Sequence, residues 1–233
     1  MKDTIISLCD LTGVMVQPWV EQGYKAVLVD PQHPEGIHTE NNITYIGRII
    51  EHNDTWNVIH QLLINDRIAF VAGFPPCTDV AVSGAKHWAK KFTADRYFQA
   101  KAAIVAEQCR TIGKISNAPW FFENPVSGFS SIFGKPNYSF HPYEYGGYLP
   151  DDDVHPTYPQ YIKPRDSYPK KTCLWTGEHF IMPIKKPVYV EKGYSEQFKK
   201  LGGRSLKTQN IRSATPRGFA KAVFLYNKPK INT

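Results

Sequence analysis

A short apolar run that ends at a proline-rich turn restricts most strongly how this chain can fold. Residues 68–72 are rich in branched and aromatic side chains and predict a strand buried within a sheet. The next residues are Gly73-Phe74-Pro75-Pro76-Cys77, and prolines permit neither strand pairing nor helix continuation. The chain must therefore leave the sheet through a stiff turn, with Cys77 at the carboxyl end of the strand. Open α/β sheets bind their ligands at that edge, so the Cys77 thiol is a candidate nucleophile.

A second apolar stretch ends in a carboxylate. Residues 119–122 predict another buried strand, and Glu123 follows it directly. A cysteine alone is more often a small buried apolar residue than a nucleophile, and it is the combination with Glu123 that favours catalysis. A thiolate and a carboxyl group at neighbouring strand ends suit attack on a pyrimidine. The sulfur adds to carbon 6 while the carboxyl shares a proton with N3, and carbon 5 then becomes nucleophilic enough to accept a methyl group.

Strands alternate with helices along most of the chain, which predicts an α/β fold with a doubly wound, mostly parallel sheet. The first unit is strand, turn, helix and strand, with Asp10 and Gly13 in the turn and Asp30 after the second strand, as in a nucleotide-binding fold. The predicted strands are 5–9, 26–29, 43–46, 68–72, 119–122 and 172–175. The predicted helices are 14–22, 55–64 with Asp54 as N-cap, 94–115, and a last helix with Thr215 as N-cap and Pro216 at its first position.

Three stretches lack a regular pattern. Residues 82–92 are polar and basic and predict a mobile loop that contacts phosphate; the alternative is a solvated basic face. Residues 137–170 are rich in proline and tyrosine and predict a small irregular insertion, in which the acidic triplet 151–153 is expected to be a solvated loop. Residues 185–207 are basic and irregular. We therefore predict a single domain over residues 1–233.

Composition and charge limit the class of protein and its partners. The chain has 233 residues, of which 42% are hydrophobic and 21% charged, as in a folded globular domain. Its net charge of +7 and isoelectric point of about 9.1 favour an anionic partner, of which nucleic acid fits best. The four cysteines lack metal-ligand spacing, and no run reaches the length of a membrane span. We therefore expect a cytoplasmic protein with reduced thiols, without a metal or a membrane partner.

Four short motifs follow one another along the chain: Ser7-Leu8-Cys9-Asp10-Leu11-Thr12-Gly13, Gly73-Phe74-Pro75-Pro76-Cys77, Phe122-Glu123-Asn124-Pro125 and Tyr145-Gly146. They resemble, in that order, motifs of the DNA cytosine-5 methyltransferase family: its cofactor-binding motif, its Pro-Cys nucleophile motif, its Glu-Asn-Val motif (with Pro125 in place of valine) and its Asp-Tyr-Gly sequence. The resemblance covers residues 5–175 and indicates a compact, phage-type member.

The resemblance implies a Rossmann-like fold that uses S-adenosylmethionine to methylate carbon 5 of a cytosine flipped out of DNA. It implies that Cys77 is the nucleophile and Glu123 the acid at N3. The residues expected beside the cofactor are Asp10, Gly13, Asp30 and Pro75, and those expected beside the substrate are Pro76, Ser83, Asn124, Lys170 and Lys171. The resemblance further implies a monomer that acts in the cytoplasm. If a phage encodes the chain, this is the cytoplasm of the host cell.

The chain departs from the family in its substrate-binding regions. Lys170-Lys171-Thr172-Cys173-Leu174 stands where the family has Gln-x-Arg-x-Arg, so the arginine expected near cytosine O2 is missing. Lys170, Lys171 or Arg165 is its candidate substitute, and the sequence does not choose among them. Residues 177–210 form a region smaller than the family's target-recognition domain, so a complete device for reading the major groove is not expected.

The cofactor motif also departs from the family, and three alternatives stay open. Leu11 and Met15 stand where glycines are expected, and Cys9 stands where an aromatic residue is expected. The substrate is RNA or a free deoxycytidine nucleotide in the first alternative, which the reduced recognition region favours. The second is a folate-dependent enzyme resembling thymidylate synthase, against which the early strand–turn–helix–strand unit argues. The third is a degenerate relative that binds nucleic acid without catalysis, which the lost glycines and arginines favour.

Overall fold

An eight-stranded sheet runs through the computed structural model of the protein, which describes residues 1–193, 195–202 and 205–229. The strands are β1 (Thr4–Leu8), β2 (Lys25–Val29), β3 (Gly36–Glu40), β4 (Ile43–Gly47), β5 (Ile68–Gly73), β6 (Trp120–Pro125), β7 (Tyr138–Phe140) and β8 (Thr172–Thr176). Across the sheet they lie in the order β3-β4-β2-β1-β5-β6-β8-β7.

Helices cover both faces of this sheet. They are α1 (Gln17–Val20), α2 (Asn53–Ile64), α3 (Trp88–Ala94), α4 (Phe98–Ile115), α5 (Phe129–Ile132), α6 (Glu196–Lys200), α7 (Leu206–Ser213) and α8 (Arg217–Asn227). Short 3₁₀ turns occur at Val82–His87, Pro142–Tyr148 and Pro164–Asp166. α1 and α8 pack on one face, whereas α2 and α4 pack on the other.

The strand order shows how the sheet is wound. β4, β2, β1, β5 and β6 each pair in parallel with their neighbours. The chain moves outward from β1 to β2 and β4, and then crosses back to β5 on the other side of β1, which makes the sheet doubly wound. Antiparallel pairs lie at the two edges, where β3 joins β4 and where β8 lies between β6 and β7. The predicted Rossmann-like, mostly parallel α/β fold is confirmed.

Alternation of side chains along the central strands builds a core on each face. Phe70 and Phe121 lie on the face of α1 and α8, whereas Phe122 lies on the face of α2 and α4. The Phe70 ring lies 5.3 Å from the Trp19 ring, and the Phe121 ring lies 5.9 Å from the Phe219 ring. Burial of each such ring stabilises the fold by about 1.5–3 kcal/mol. This packing fixes the ends of β5 and β6 relative to the helices on both sides.

Several predicted helix ends were wrong. The helix predicted at 14–22 is only the short α1, which begins at Gln17 because Pro18 fits the first turn of a helix but not its interior. The N-cap of α2 is His52, whose Nδ1 accepts the backbone N–H of Asp54 (3.1 Å), and not Asp54 itself. The N-cap of α8 is Pro216 rather than Thr215. The helix predicted at 94–115 begins at Phe98 and is preceded by a separate helix, α3.

The β3–β4 hairpin was not predicted, because β3 is mostly exposed and its side chains have no apolar alternation. Asn41 and Asn42 join the strands with positive φ angles of 49° and 66°, as a two-residue turn in a hairpin requires. This Asn-Asn pair before residues 43–46 is the sequence signal that predicts the hairpin.

The irregular stretches are more structured than predicted. Residues 82–92 form a 3₁₀ turn and most of α3, so the prediction of a loop there was wrong. Asp153 was expected to be solvated, yet its carboxylate accepts two hydrogen bonds from the Arg217 guanidinium (2.7 and 2.6 Å), which attaches residues 137–170 to α8. Residues 177–210 include α6 and the first part of α7. Residues 194, 203 and 204 of that region, and 230–233 of the predicted domain, lie outside the described residues.

Replacement of Gly73 by alanine is expected to destabilise the protein. A Cβ atom there would lie 2.7 Å from the Cβ and 2.9 Å from the Sγ of Cys109, so α4 would have to move away from β5. Overpacking of this kind costs about 1–3 kcal/mol, which urea unfolding should show as a lower free energy of unfolding. Gly84→Ala is the matched control, because a Cβ there meets no atom within 4 Å. Equal losses in both variants would contradict the close approach of α4.

Candidate active site at the carboxyl edge of the sheet

The two strand ends predicted to carry the chemistry lie side by side. β5 and β6 are parallel neighbours. Cys77, which follows β5, and Glu123, which lies near the end of β6, are therefore both at the carboxyl edge of the sheet. A hydrogen bond joins the two segments, because the Asn124 side-chain amide donates to the Pro75 carbonyl (2.9 Å). Asn124 is 1% exposed, so water does not compete for this bond. The structure therefore brings Cys77, Glu123 and Asn124 together, and it gives Asn124 a positioning role.

Backbone hydrogen bonds extend the link between the two segments. The Val82 amide donates to the Val126 carbonyl (3.0 Å), and the Gly128 amide donates to the Val80 carbonyl (2.9 Å). The residues just after Cys77 are thus paired with those just after Glu123. This pairing restricts relative movement of the thiol and the carboxyl.

One cation acts on both the thiol and the carboxyl. Burial raises the pKa of the Cys77 thiol, the nearby Glu123 charge raises it further, and the Lys170 ammonium opposes the rise. Burial also raises the pKa of the Glu123 carboxyl, again against the Lys170 charge. Glu123 Oε2 is buried and has no hydrogen-bond partner among the described residues. Burial therefore favours the protonated form of this carboxyl, which is the form that a general acid requires.

The structure distinguishes the three cations that were candidates for the missing arginine. Lys170 is half-buried and its charge acts on Cys77 and Glu123, whereas Lys171 is exposed. Burial raises the pKa of the Cys173 thiol, and it is this rise that the Lys171 charge opposes. The Arg165 guanidinium forms an ion pair with Asp151 (2.5 Å). Lys170 is therefore the cation of these three that lies beside the predicted catalytic pair.

The turn after β1 is held by Asp10. Its carboxylate, in a residue 4% exposed, accepts hydrogen bonds from the Ser7 hydroxyl (2.7 Å) and from the backbone amides of Thr12 and Gly13 (both 2.9 Å). Gly13 has a φ of +66°, which favours glycine. The geometry gives Asp10 a turn-forming role, and its contact with a cofactor stays a prediction.

Asp30 lies at the same edge, directly after β2. Burial raises the pKa of its carboxyl, the Gln32 amide that donates to it (2.8 Å) opposes the rise, and the Asp10 charge adds to it. β1 lies between β2 and β5, and the Phe74 amide donates to the Leu8 carbonyl (2.9 Å). The acid and the glycine turn therefore adjoin the Cys77 segment at the point where the winding reverses, which is where doubly wound sheets bind nucleotides.

The remaining predicted residues occupy different surroundings. Pro75 is buried and its carbonyl holds Asn124, whereas Pro76 is exposed beside Cys77. Ser83 is exposed in the 3₁₀ turn of residues 82–87. No described contact joins Ser83 to the Cys77–Glu123 pair, so its role in substrate binding stays a prediction.

Sequence reasoning missed three residues around this pair. Burial raises the pKa of the Tyr168 hydroxyl, with a further contribution from the Glu123 charge, so Tyr168 lies near the carboxyl. Gln197 is 6% exposed and lies beside Tyr168. The Arg212 carbonyl accepts a hydrogen bond from the Lys170 ammonium (2.8 Å). All three lie in segments without regular patterning, where the sequence carried no signal that predicts them.

Residues 1–193, 195–202 and 205–229 contain no group of three or more His, Cys, Asp or Glu residues arranged to hold a metal ion. No helix in the same ranges is both long and apolar enough to cross a membrane.

The pH dependence of Cys77 alkylation is expected to depend on the opposing charges of Glu123 and Lys170. The rate with iodoacetamide should rise with pH around a midpoint above the ordinary thiol pKa of about 8.5, because burial and Glu123 disfavour the thiolate. Glu123→Gln should lower this midpoint and Lys170→Met should raise it, each by about 1 unit. Mass spectrometry of the peptide that contains Cys77 separates it from the other thiols.

Lys171→Met is the matched control for Lys170→Met. It removes the same charge one residue away, from a side chain that is exposed and acts on Cys173. Its alkylation midpoint should equal that of the wild type. A shift as large as that of Lys170→Met would show that the effect comes from general surface charge.

Comparison with known proteins gives a weak structural similarity. No family model and no curated protein matches the chain. A crystal structure of a candidate DNA modification methyltransferase encoded within an E. coli prophage is similar, with 13% sequence identity and a TM-score of 0.44. The match covers 79% of this chain and 52% of that chain, so this chain spans about half the length of the protein it resembles.

Proposed function

We propose that the protein is a methyltransferase that transfers a methyl group from S-adenosylmethionine to carbon 5 of cytosine in DNA. The observation that carries this proposal is the joining of the Cys77 and Glu123 segments at one edge of the sheet, where both groups lie within the influence of Lys170. A thiol and a protonatable carboxyl at adjacent strand ends are the two groups that addition to a cytosine ring requires.

Each group of the pair has a defined step in the reaction. The Cys77 thiolate forms a bond to carbon 6 while Glu123 donates a proton toward N3, so that the ring accepts the electron pair of the new bond without a full negative charge. Carbon 5 is then the nucleophile, and the bound cofactor supplies the electrophilic methyl group. The N3 proton returns to Glu123, and transfer of the carbon 5 proton to a base expels the Cys77 thiolate and restores the aromatic ring.

Lys170 supports the first step. Its charge opposes the rise in the thiol pKa that burial and Glu123 cause, so it increases the fraction of Cys77 present as thiolate. The ammonium is held in place by its hydrogen bond to the Arg212 carbonyl (2.8 Å). We therefore assign to Lys170 the role of stabilising the Cys77 thiolate, and we assign no role to the exposed Lys171.

The edge formed by β1 and β2 fits S-adenosylmethionine. A Cβ at Gly13 would lie 3.1 Å from the Leu28 side chain, so glycine lets the turn pack closely on β2. Asp30 supplies a mostly buried carboxylate at the strand end where ribose hydroxyls are usually bound. Asp10 holds this turn through the backbone amides of Thr12 and Gly13, and Pro75 adjoins the turn through the Phe74–Leu8 hydrogen bond.

DNA is the proposed substrate because of charge. The net charge of +7 favours a polyanion, and phosphate contacts of exposed lysines give affinity that falls as salt concentration rises. The cytosine must leave the helix, since stacking hides the face of the ring that the thiol attacks. Residues 177–210 offer two short helices, so RNA or a free deoxycytidine nucleotide is the competing substrate.

DNA that carries 5-fluorocytosine is expected to trap the protein covalently. The fluorine on carbon 5 replaces the proton whose loss expels the thiolate, so the adduct at carbon 6 persists. With S-adenosylmethionine present, the wild type should form a complex that survives denaturing electrophoresis, and Cys77→Ser should form none. Glu123→Gln should form it about 10²–10⁴-fold more slowly. Cys173→Ser is the matched control and should react as the wild type does.

The same experiment separates the alternatives. A tight complex without a covalent bond, from a protein that transfers no methyl group, would overturn the proposal and favour a binding protein. Faster methyl transfer to RNA or to a free deoxycytidine nucleotide than to duplex DNA would change the assigned substrate. Bisulfite sequencing of DNA from cells that express the protein then identifies the sequence context of the methylated cytosines.

A further inference from the structure

A lysine of the basic stretch 82–92 binds the turn that carries the candidate nucleophile. Lys91 lies in α3, and its ammonium donates hydrogen bonds to the Thr78 carbonyl (2.7 Å) and to Oδ1 of Asp79 (2.6 Å). The Lys91 side chain is 26% exposed, whereas the neighbouring Lys90 is exposed. The sequence predicts phosphate contacts for this stretch, yet two of the three N–H donors of Lys91 are engaged within the protein.

The turn that Lys91 binds begins at Cys77. The Cys77 carbonyl accepts hydrogen bonds from the Val80 amide (3.1 Å) and the Ala81 amide (2.8 Å), so residues 77–81 form a closed turn. Lys91 attaches to this turn at the first and second positions after Cys77. A displacement of α3 would therefore displace the backbone on the carboxyl side of the nucleophile.

This attachment complements the one that Asn124 makes. The Asn124 amide binds the Pro75 carbonyl, two positions before Cys77, whereas Lys91 binds the chain after it. The nucleophile is thus held on both sides along the chain by side chains from two different elements, β6 and α3. Such support restricts the directions that a reacting side chain can take, and small displacements of reacting groups are costly in rate.

The same ion pair opposes a charge that disfavours the thiolate. Burial raises the pKa of the Cys77 thiol, the charges of Glu123 on β6 and of Asp79 on its own turn raise it further, and the Lys170 charge opposes the rise. The Lys91 ammonium lies 2.6 Å from the Asp79 carboxylate and offsets that charge where it arises. Asp79 is 39% exposed, so water screens part of its effect and the expected changes are modest.

We infer that Lys91 is a positioning residue for the Cys77 nucleophile, on which it acts through its bonds to Thr78 and Asp79 rather than by contact with DNA. This inference rests on the proposed function and extends it. Lys91 fixes the turn on the carboxyl side of Cys77 and offsets the charge of the nearest carboxylate on that turn. The basic stretch 82–92 therefore contains exposed lysines and one lysine that is bound to the active-site turn.

Positioning and phosphate contact change different kinetic constants. Lys91→Met keeps an unbranched side chain and removes the charge and the donors. It should lower kcat for methyl transfer to duplex DNA about tenfold and leave KM for DNA and its salt dependence unchanged. A rise in KM at constant kcat, with a salt slope smaller by about 1, would show that Lys91 binds a phosphate and would overturn the inference.

Lys101→Met is the matched control. It removes a lysine from an ion pair of the same length, 2.6 Å to Asp95, and that pair does not include the turn after β5. Its kcat and KM should equal those of the wild type. A loss of kcat as large as that of Lys91→Met would show that any lost ion pair on this surface has the same effect, and would overturn the inference.

Alkylation of Cys77 by iodoacetamide tests the electrostatic part in the free protein. At pH 7, Lys91→Met should react about threefold more slowly than the wild type and Asp79→Asn about threefold faster. In the Asp79→Asn background, Lys91→Met should leave the rate unchanged, because Lys91 acts on the thiol charge through that carboxylate. Equal rates in the wild type and Lys91→Met, or the same slowing in both backgrounds, would overturn the inference.

The outcomes separate this inference from the proposed function. A wild type that forms no 5-fluorocytosine adduct and transfers no methyl group would refute the proposed function itself. A wild type that does both, with kcat unchanged in Lys91→Met, would refute the role of Lys91 alone.

Discussion

The hydrogen bond from the Asn124 amide to the Pro75 carbonyl (2.9 Å) joins the two strand ends on which the candidate active site is built. The chain leaves the sheet in the same direction after β5 and after β6. Without a contact between them, each following turn would be positioned only by its own backbone. This buried contact, together with the backbone pairing of residues 80–82 with 126–128, makes one unit of the two turns. Catalysis between a thiol and a carboxyl depends on such a fixed arrangement, since small displacements of reacting groups are costly in rate.

The electrostatics of this unit contain two opposing demands. The Cys77 sulfur must become a thiolate, whereas the Glu123 carboxyl must hold a proton. Burial favours the neutral form of both groups, which suits Glu123 and hinders Cys77. Lys170 opposes both shifts, and a proton on Glu123 also removes the negative charge that raises the pKa of Cys77. The two titrations are therefore linked, and protonation of the acid favours ionisation of the nucleophile.

The fold was predictable to the extent that its signals are local. Apolar runs bounded by turns identified six strands, and their alternation with helices indicated the winding of the sheet. The β3–β4 hairpin was missed because its outer strand is mostly exposed. The predicted N-cap of α2 was wrong because the His52 side chain, rather than that of the more typical Asp54, accepts the free backbone amide. The prediction that Asp153 is solvated was wrong because its partner, Arg217, lies 64 residues further along the chain.

The sequence by itself determined that a cysteine and a carboxylate each follow an apolar strand, and that a glycine turn and an acid accompany the first two strands. These properties depend on residue type and on neighbours within a few positions, so the periodicity of apolar residues and the turn-forming residues are sufficient to predict them. Only the tertiary structure decided that Lys170 rather than Lys171 lies beside the pair, that Asp10 is occupied in holding its turn, and that Tyr168 is buried within range of the Glu123 charge. Those outcomes depend on contacts between distant segments, because packing decides which side chains lose water and which charges they then meet.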